Sequence, residues 1–213
     1  MIKDGYVMVN GGLVTDSLYP VQDSDHVSFA DKINDYANGL GLILVHKPRG
    51  VWTNCKIGND EEEVKDLLPK KYAAYSSIGR LDKDSQGLIL FTNDGAFANR
   101  FLNSDEVHER RYLVWTKREL ADQELNQLAM GVMLDDGPTL PARVKCVDRN
   151  CYEFILTEGK NRQIRRMVEF FGTHVIRLKR THFGDFSLGS IGEGQFDFQA
   201  LSAHFFGRLH NNP

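Results

Sequence analysis

The chain runs to 213 residues, 41% hydrophobic and 26% charged, with 26 Lys and Arg against 29 Asp and Glu for a net charge of -3. That length can bury a real core, and the composition is ordinary for a soluble globular protein; no apolar run approaches bilayer length, and the opening Met1-Ile2-Lys3-Asp4-Gly5 has no secretory pattern. The expectation is a cytoplasmic protein without a membrane partner, and Cys55, Cys146 and Cys151, odd in number and without a C-x-x-C pair, read as reduced structural thiols rather than a disulfide framework or a metal site.

In chain order, Gly5-Tyr6-Val7-Met8-Val9-Asn10-Gly11 alternates and meets a turn, and Val21, Asp25 and Val27 follow, so two short strands are expected. Residues 31–38 read as a short helix or linker ended by Gly39 and Gly41, and residues 42–45 as a strand stopped by Pro48. The acidic run Asp60-Glu61-Glu62-Glu63 reads as a solvated face. Gly79-Arg80-Leu81-Asp82-Lys83-Asp84-Ser85-Gln86-Gly87 then sets a charged cluster before Leu88-Ile89-Leu90-Phe91, an uninterrupted apolar run expected to be a strand buried on both faces. Asp82 therefore sits at the lip of a core, where local pattern alone makes it a turn or capping residue as readily as a catalytic one.

Thr92-Asn93-Asp94-Gly95 supplies an N-cap for a helix with Phe97, Ala98, Phe101 and Leu102 on its apolar face. Further on, residues 112–115 read as strand, 120–130 as a helix ended by Gly131, 144–147 and 152–156 as paired strands, 161–171 as helix and 175–180 as strand. That order is β-α-β-β-α-β, a ferredoxin-like split unit on a mostly antiparallel sheet, and the fold class is α+β. The helix at 161–171 is amphipathic, with Ile164, Met167, Val168 and Phe171 on one face and Arg162, Arg165, Arg166 and Glu169 on another. Residues 158–182 hold seven Lys or Arg against two Glu, a local +5, so the rest of the chain carries -8 and any nucleic-acid binding must be focused on one face.

The stretch 79–95 is similar to the nucleophile motif of pseudouridine synthases of the RsuA type, which modify ribosomal RNA. Leu44-Val45-His46-Lys47-Pro48-Arg49-Gly50 upstream and Glu158-Gly159-Lys160-Asn161-Arg162-Gln163-Ile164-Arg165-Arg166-Met167 downstream fall in the family's order. Asp136-Gly137-Pro138-Thr139-Leu140-Pro141-Ala142 also fits, so the resemblance covers about 41–194. It implies a catalytic domain over 37–213, with a ferredoxin-like subdomain at about 111–180 and a site in the cleft between two subdomains. Residues 1–36 resemble the second half of the αL RNA-binding module that precedes this domain in the family. The module's basic first half is missing, and six Asp against two Lys remain. The segment is thus a truncated module, one that no longer binds RNA in the usual way, or a β-hairpin cap on the core.

Turning uridine into pseudouridine breaks the bond from ribose to ring nitrogen, rotates the uracil and joins ring carbon to ribose. Neither metal nor cofactor is called for, and the sequence carries no P-loop, dinucleotide turn or His and Cys cluster. The resemblance implies Asp82 as nucleophile, Arg165 as its cationic partner, and Tyr112, in Arg111-Tyr112-Leu113-Val114, stacking on the uracil and helping to remove the ring proton. Arg111 stands where the family has Lys. By the same resemblance Arg80 fills the space left by a flipped uridine, and Leu156 packs on the base. Lys47, Arg49, Lys160, Arg162 and Arg166 are candidate RNA contacts, while Asp84, Ser85 and Asp94 are assigned to turns and caps. The implied partner is RNA, with large-subunit ribosomal RNA favoured and tRNA open, and the chain is expected to be a monomer. Two alternatives stand beside this: a hydrolase with Asp82 and Asp84 as paired carboxylates, and a noncatalytic RNA-binding or ribosome-assembly factor.

Overall fold

Apolar runs without polar interruption become strands covered on both faces, because only a central sheet position removes every side chain from water. The computed structural model describes residues 2, 3, 5–30, 39–54, 61–102 and 107–201. It divides into two units: Leu42–Gln199, and the residues up to Gly41 together with Ala200 and Leu201. The helix or linker expected at 31–38 and the Cys55 thiol lie outside the described residues.

The N-terminal unit holds β1 (Val7–Val9), β2 (Gly12–Val14) and β3 (Val27–Phe29) in the order β2-β1-β3, both pairings antiparallel. It has three strands rather than the expected two. Asn10 and Gly11 have φ of 51° and 79°, the signs a two-residue type I′ hairpin requires, and Asn-Gly is the dipeptide that tolerates them. The Asn10 amide donates to Asp25 at 2.8 Å, and its carbonyl accepts from the His26 N–H at 2.9 Å, which ties the hairpin to β3.

The larger unit is built on one nine-stranded sheet. In chain order it contains β4 (Gly41–Lys47), β5 (Ser76–Ile78), β6 (Gln86–Thr92), α1 (Gly95–Leu102), β7 (Arg110–Thr116) and α2 (Asp122–Met130). A detached hairpin of β8 (Met133–Leu134) and β9 (Gly137–Pro138) follows. Then come β10 (Arg143–Asp148), β11 (Cys151–Leu156), α3 (Gln163–Glu169), β12 (Val175–Phe183), β13 (Phe186–Ser187) and β14 (Phe196–Ala200). The sheet runs β10-β11-β7-β12-β6-β4-β14, with β5 paired to β6 and β13 to β12. Its first four strands have the ferredoxin-like order, each antiparallel to its neighbour. The fold is α+β.

All seven residues of β4 and of β6 are buried, the apolar runs as their composition requires and His46, Lys47, Gln86 and Thr92 along with them, whereas β7 alternates and turns Tyr112, Val114 and Thr116 inward. The halves of the sheet meet where β6 and β12 pair in parallel through only Lys179 with Gln86 and Arg180 with Gly87. Helices α2 and α3 send Leu128, Ile164, Met167 and Val168 into a core shared with Val114, Tyr152 and Phe154. The Asp94 carboxylate caps α1 by accepting from the Ala96 and Phe97 N–H groups at 2.9 and 3.2 Å, as its position before an apolar-periodic segment indicates. Cys146 is exposed and Cys151 buried, both free. Among the described residues no helix is long and apolar enough to cross a membrane.

Candidate active site

Asp82 lies in the loop from β5 to β6, just before the buried strand, and four separate ties hold that loop. The Thr53 hydroxyl donates to the Leu81 carbonyl at 2.8 Å and accepts from its N–H at 3.0 Å. The Ser85 N–H bonds back to the Asp82 carbonyl at 3.0 Å, and the Gly50 N–H donates to the Lys83 carbonyl at 2.7 Å. Lys47, wholly buried, donates to the carbonyls of Pro48, Lys83 and Ser85 at 2.9, 3.3 and 2.7 Å. A loop pinned in this way presents its carboxylate in one place, as a reacting group requires.

From the other side comes the N-terminus of α3. Arg162, just ahead of the helix, has φ 48°, a left-handed conformation unusual for a residue with a side chain. Its guanidinium forks onto both carboxylate oxygens of Asp84, each at 3.1 Å, and lies 3.7 Å from Asp82 Oδ2. Arg165 is buried at 5% exposure; it donates to the Asp84 carbonyl at 3.0 Å and the Ser85 hydroxyl at 3.1 Å, and its Nε stands 3.3 Å from Asp84 Oδ2 without hydrogen-bonding geometry.

Between loop and helix opens a cleft of about 430 Å³ lined by Arg80, Asp82, Tyr112, Leu156, Lys160, Arg162, Arg165 and Arg180 among others, a volume suited to one nucleoside. A second cavity of about 460 Å³, lined by Arg49, Gly50, Trp52, Thr53 and Lys83, shares Arg80, Asp82 and Arg162 with the first. The carboxylate of Asp82 therefore borders both spaces.

A sequence profile described as RNA pseudouridylate synthase matches residues 41–170. The chain is 32% identical to ribosomal large subunit pseudouridine synthase B of Bacillus subtilis (strain 168), over 98% of this chain and 87% of that one. The chain belongs to the RNA pseudouridylate synthase family. It is 33% identical to the dual-specificity RNA pseudouridine synthase RluF of Escherichia coli (strain K12), over 92% of this chain and 67% of the relative. A solved structure described as a pseudouridylate synthase superposes with a TM-score of 0.71 at 25% identity, covering 98% of this chain and 90% of that one.

In this synthase the carboxylate assigned to a turn is the hub of the ion pairs. Burial pushes the Asp84 carboxyl up, but Arg162 and Arg165 outweigh it and hold the group below its ordinary value. Burial pulls the Arg165 guanidinium down, with Asp84 and then Asp82 acting against it. The nearest cation to Asp82 is thus Arg162, while Arg165 acts on it from behind Asp84. The expected basic face of the helix is split: Arg165 faces inward, and Arg166 turns away from the cleft to hold Asp136 at 2.9 and 3.0 Å. Arg166 does not line the cleft.

Lys47 is also corrected. Its ammonium spends its donors on three carbonyls, leaving none for a phosphate, and burial pulls its pKa down to about 8 against the pull of Asp84, Asp82 and Glu193. Lys160 lines the cleft with its ammonium anchored on the Asp136 and Gly137 carbonyls at 3.1 and 3.2 Å. Arg80 and Arg49 are exposed, Tyr112 and Leu156 buried, each bordering one or both cavities.

Three groups escaped the sequence reading. Thr53 carries no local signal, because its partner Leu81 is distant in sequence. Glu158 accepts from the Gln163 amide at 2.6 Å and the Leu140 N–H at 2.7 Å, bracing the turn that holds Arg162. Arg180 did leave a signal: it falls two residues after Leu178 on a strand whose alternation points both inward. Its Nε donates to the Leu88 carbonyl at 2.7 Å.

Proposed function

We propose that this RNA pseudouridine synthase acts on a uridine of large-subunit ribosomal RNA with Asp82 as nucleophile. The observation that carries the reading is the pinned Asp82 carboxylate at the junction of two cavities, 3.7 Å from Arg162 and in one cleft with Tyr112. The Bacillus subtilis relative, matched over nearly the whole chain, is named for the large ribosomal subunit, which favours that RNA over tRNA.

The reaction moves one proton from ring carbon to ring nitrogen and exchanges one carbon–nitrogen for one carbon–carbon bond, so it needs a nucleophile and a proton carrier but no oxidant. Asp82 engages the substrate, with the Arg162 guanidinium 3.7 Å from it and Arg165 placed behind Asp84. Tyr112 carries the proton and Leu156 packs on the uracil. Arg80, exposed beside Asp82, takes the place of the flipped base, and Arg49, Lys160 and Arg162 hold flanking phosphates. Residues 1–36 serve as a partial αL-type RNA-binding module, residues 37–213 as the catalytic domain, and the enzyme works as a cytoplasmic monomer.

Pseudouridine mapping of rRNA and tRNA from cells lacking the gene, complemented with wild type or Asp82→Asn, tests this reading. One large-subunit uridine restored by wild type alone is the expected result. Restoration by both proteins removes Asp82 from the nucleophile role, and a restored tRNA site in place of an rRNA site reassigns the substrate.

A further inference from the structure

Arg180 is a buried cation that the chemistry above does not use. It is 2% exposed, its Nη2 has no hydrogen-bond partner, and its guanidinium lies 4.9 Å over the Phe183 ring. Among the described residues no carboxylate forms a salt bridge with it. A guanidinium stays protonated even when desolvated, and one enclosed without an anion is strongly unfavourable unless negative charge arrives during the working cycle.

The fold places it deliberately. On one side, Gly87 lets β6 approach so closely that a Cβ there would stand 2.2 Å from the Arg180 carbonyl. On the other, Arg180 is the register partner of Tyr112, so the two side chains share a face of the sheet and line the same cleft. A bulge between Arg180 and His182 then shifts the inward series from even to odd positions and brings Phe183 beside the guanidinium. Tyr112 and Arg110, both on β7, are the charged or titratable groups acting on Arg180, and Arg110 lies 4.9 Å over the same Phe183 ring. From β6 it meets the Leu88 carbonyl. Arg110 and Arg180 line the cleft with Tyr112, as do the carboxylates of Asp82 and Glu158, and of these Arg180 is the one paired with Tyr112 across the strands.

We propose that Arg180 is the positioning residue of Tyr112, orienting its phenol oxygen and neutralising the negative charge on that oxygen when it serves as the base. This rests on the reading of Tyr112 as proton carrier. The phenol first releases its proton to solvent. The phenolate then takes the proton from the ring carbon, the electron pair of that bond returns to the ring, and the ring nitrogen freed from ribose ends protonated. Charge is conserved throughout, and Arg180 supplies a fixed positive charge on the same face of the sheet as the phenolate oxygen.

The test is single-turnover release of tritium from ribosomal RNA labelled at the uridine ring carbon, isolated from cells lacking the enzyme, between pH 6 and 9.5. Arg180→Met is expected to slow release on the order of 100-fold at pH 7, with the deficit shrinking to about fivefold at pH 9.5 as an unassisted phenol ionises. Arg180→Lys should recover part of the acidic limb. A deficit constant across pH, or none, overturns the proposal and leaves Arg180 a packing residue. Should Arg180→Met fail to fold, Arg180→Lys carries the same test, because a displaced cation must move the limb and not merely lower the plateau. Tyr112→Phe at wild-type rate overturns the reading beneath the proposal; a slow Tyr112→Phe with a pH-parallel Arg180 variant overturns the proposal alone.

Discussion

At the scale of single residues, the division of labour between Asp82 and Asp84 follows from what surrounds each. Asp84 receives a bidentate guanidinium and a second cation at 3.3 Å, which makes it a rigid anionic strut. Asp82 receives one guanidinium at 3.7 Å and remains about a third exposed, which suits the nucleophile role proposed for it. Asp84→Asn should therefore leave Asp82 in place chemically but loosen both arginines, lowering kcat by about tenfold or more, since small misplacements near a reacting group are costly. The pH dependence has a definite sign. The folded-state pKa of Asp84 is depressed, so its contribution to stability is present above the ordinary value of 3.8 and is lost as pH falls through the folded value. Thermal melting from pH 7 to 3 should show the Asp84→Asn deficit shrinking below about pH 4; a deficit that widens on acidification would contradict the ion-pair assignment.

At the scale of elements, the junction of β6 and β12 is the critical joint, because two parallel register pairs link the sheet halves that carry Asp82 and Tyr112. Gly87 has φ 112°, and a Cβ on it would lie 2.2 and 2.6 Å from backbone atoms of Arg180. Neither the conformation nor the contact admits a side chain. Gly87→Ala should cost at least about 2 kcal/mol, a fall in Tm of about 4–8 °C, with activity lost more steeply than stability. Wild-type activity in that variant would mean that the strands can part without disturbing the site. The hairpin of β1 and β2 shows the opposite case: Asn10-Gly11 is a turn written locally, legible even though the second strand was not expected. The terminus of α3 lies between these. Its apolar spacing is plain, but Arg162 enters it with φ 48°, so the helix starts at Gln163 and the following arginines rotate to different partners.

At the scale of the whole molecule, a chain of net charge -3 presents a cleft lined by Arg80, Arg110, Lys160, Arg162, Arg165 and Arg180 against Asp82 and Glu158. The excess of cations is concentrated in the cleft where the proposed reading places the substrate, a distribution that would attract a phosphate backbone despite the net negative charge of the chain. Several of these cations are committed to protein partners, so the exposed Arg49 at the second cavity should matter out of proportion. Arg49→Ala is expected to weaken rRNA binding at low salt and to reduce the slope of log affinity against log salt by about 1. An unchanged slope between 50 and 200 mM salt, on the order of the range where phosphate contacts are read, would remove Arg49 from the RNA path.

The sequence by itself determined the family, the α+β class, the ferredoxin-like strand order and the identity of the carboxylate loop, because each is written in contiguous residues: an apolar run, a cap, a turn dipeptide, a motif. Tertiary structure alone decided who pairs with whom. Lys47 and Arg166 look like RNA ligands in a linear reading, yet one is enclosed by three carbonyls and the other is drawn to Asp136. Asp84 looked like a turn residue because its partners Arg162 and Arg165 lie 78 and 81 positions away. Arg180 gained its meaning only from its register against Tyr112 and its packing on Gly87. A charged side chain's role is set by the dielectric and the counter-charges around it, and those arrive from strands and helices far off in the chain.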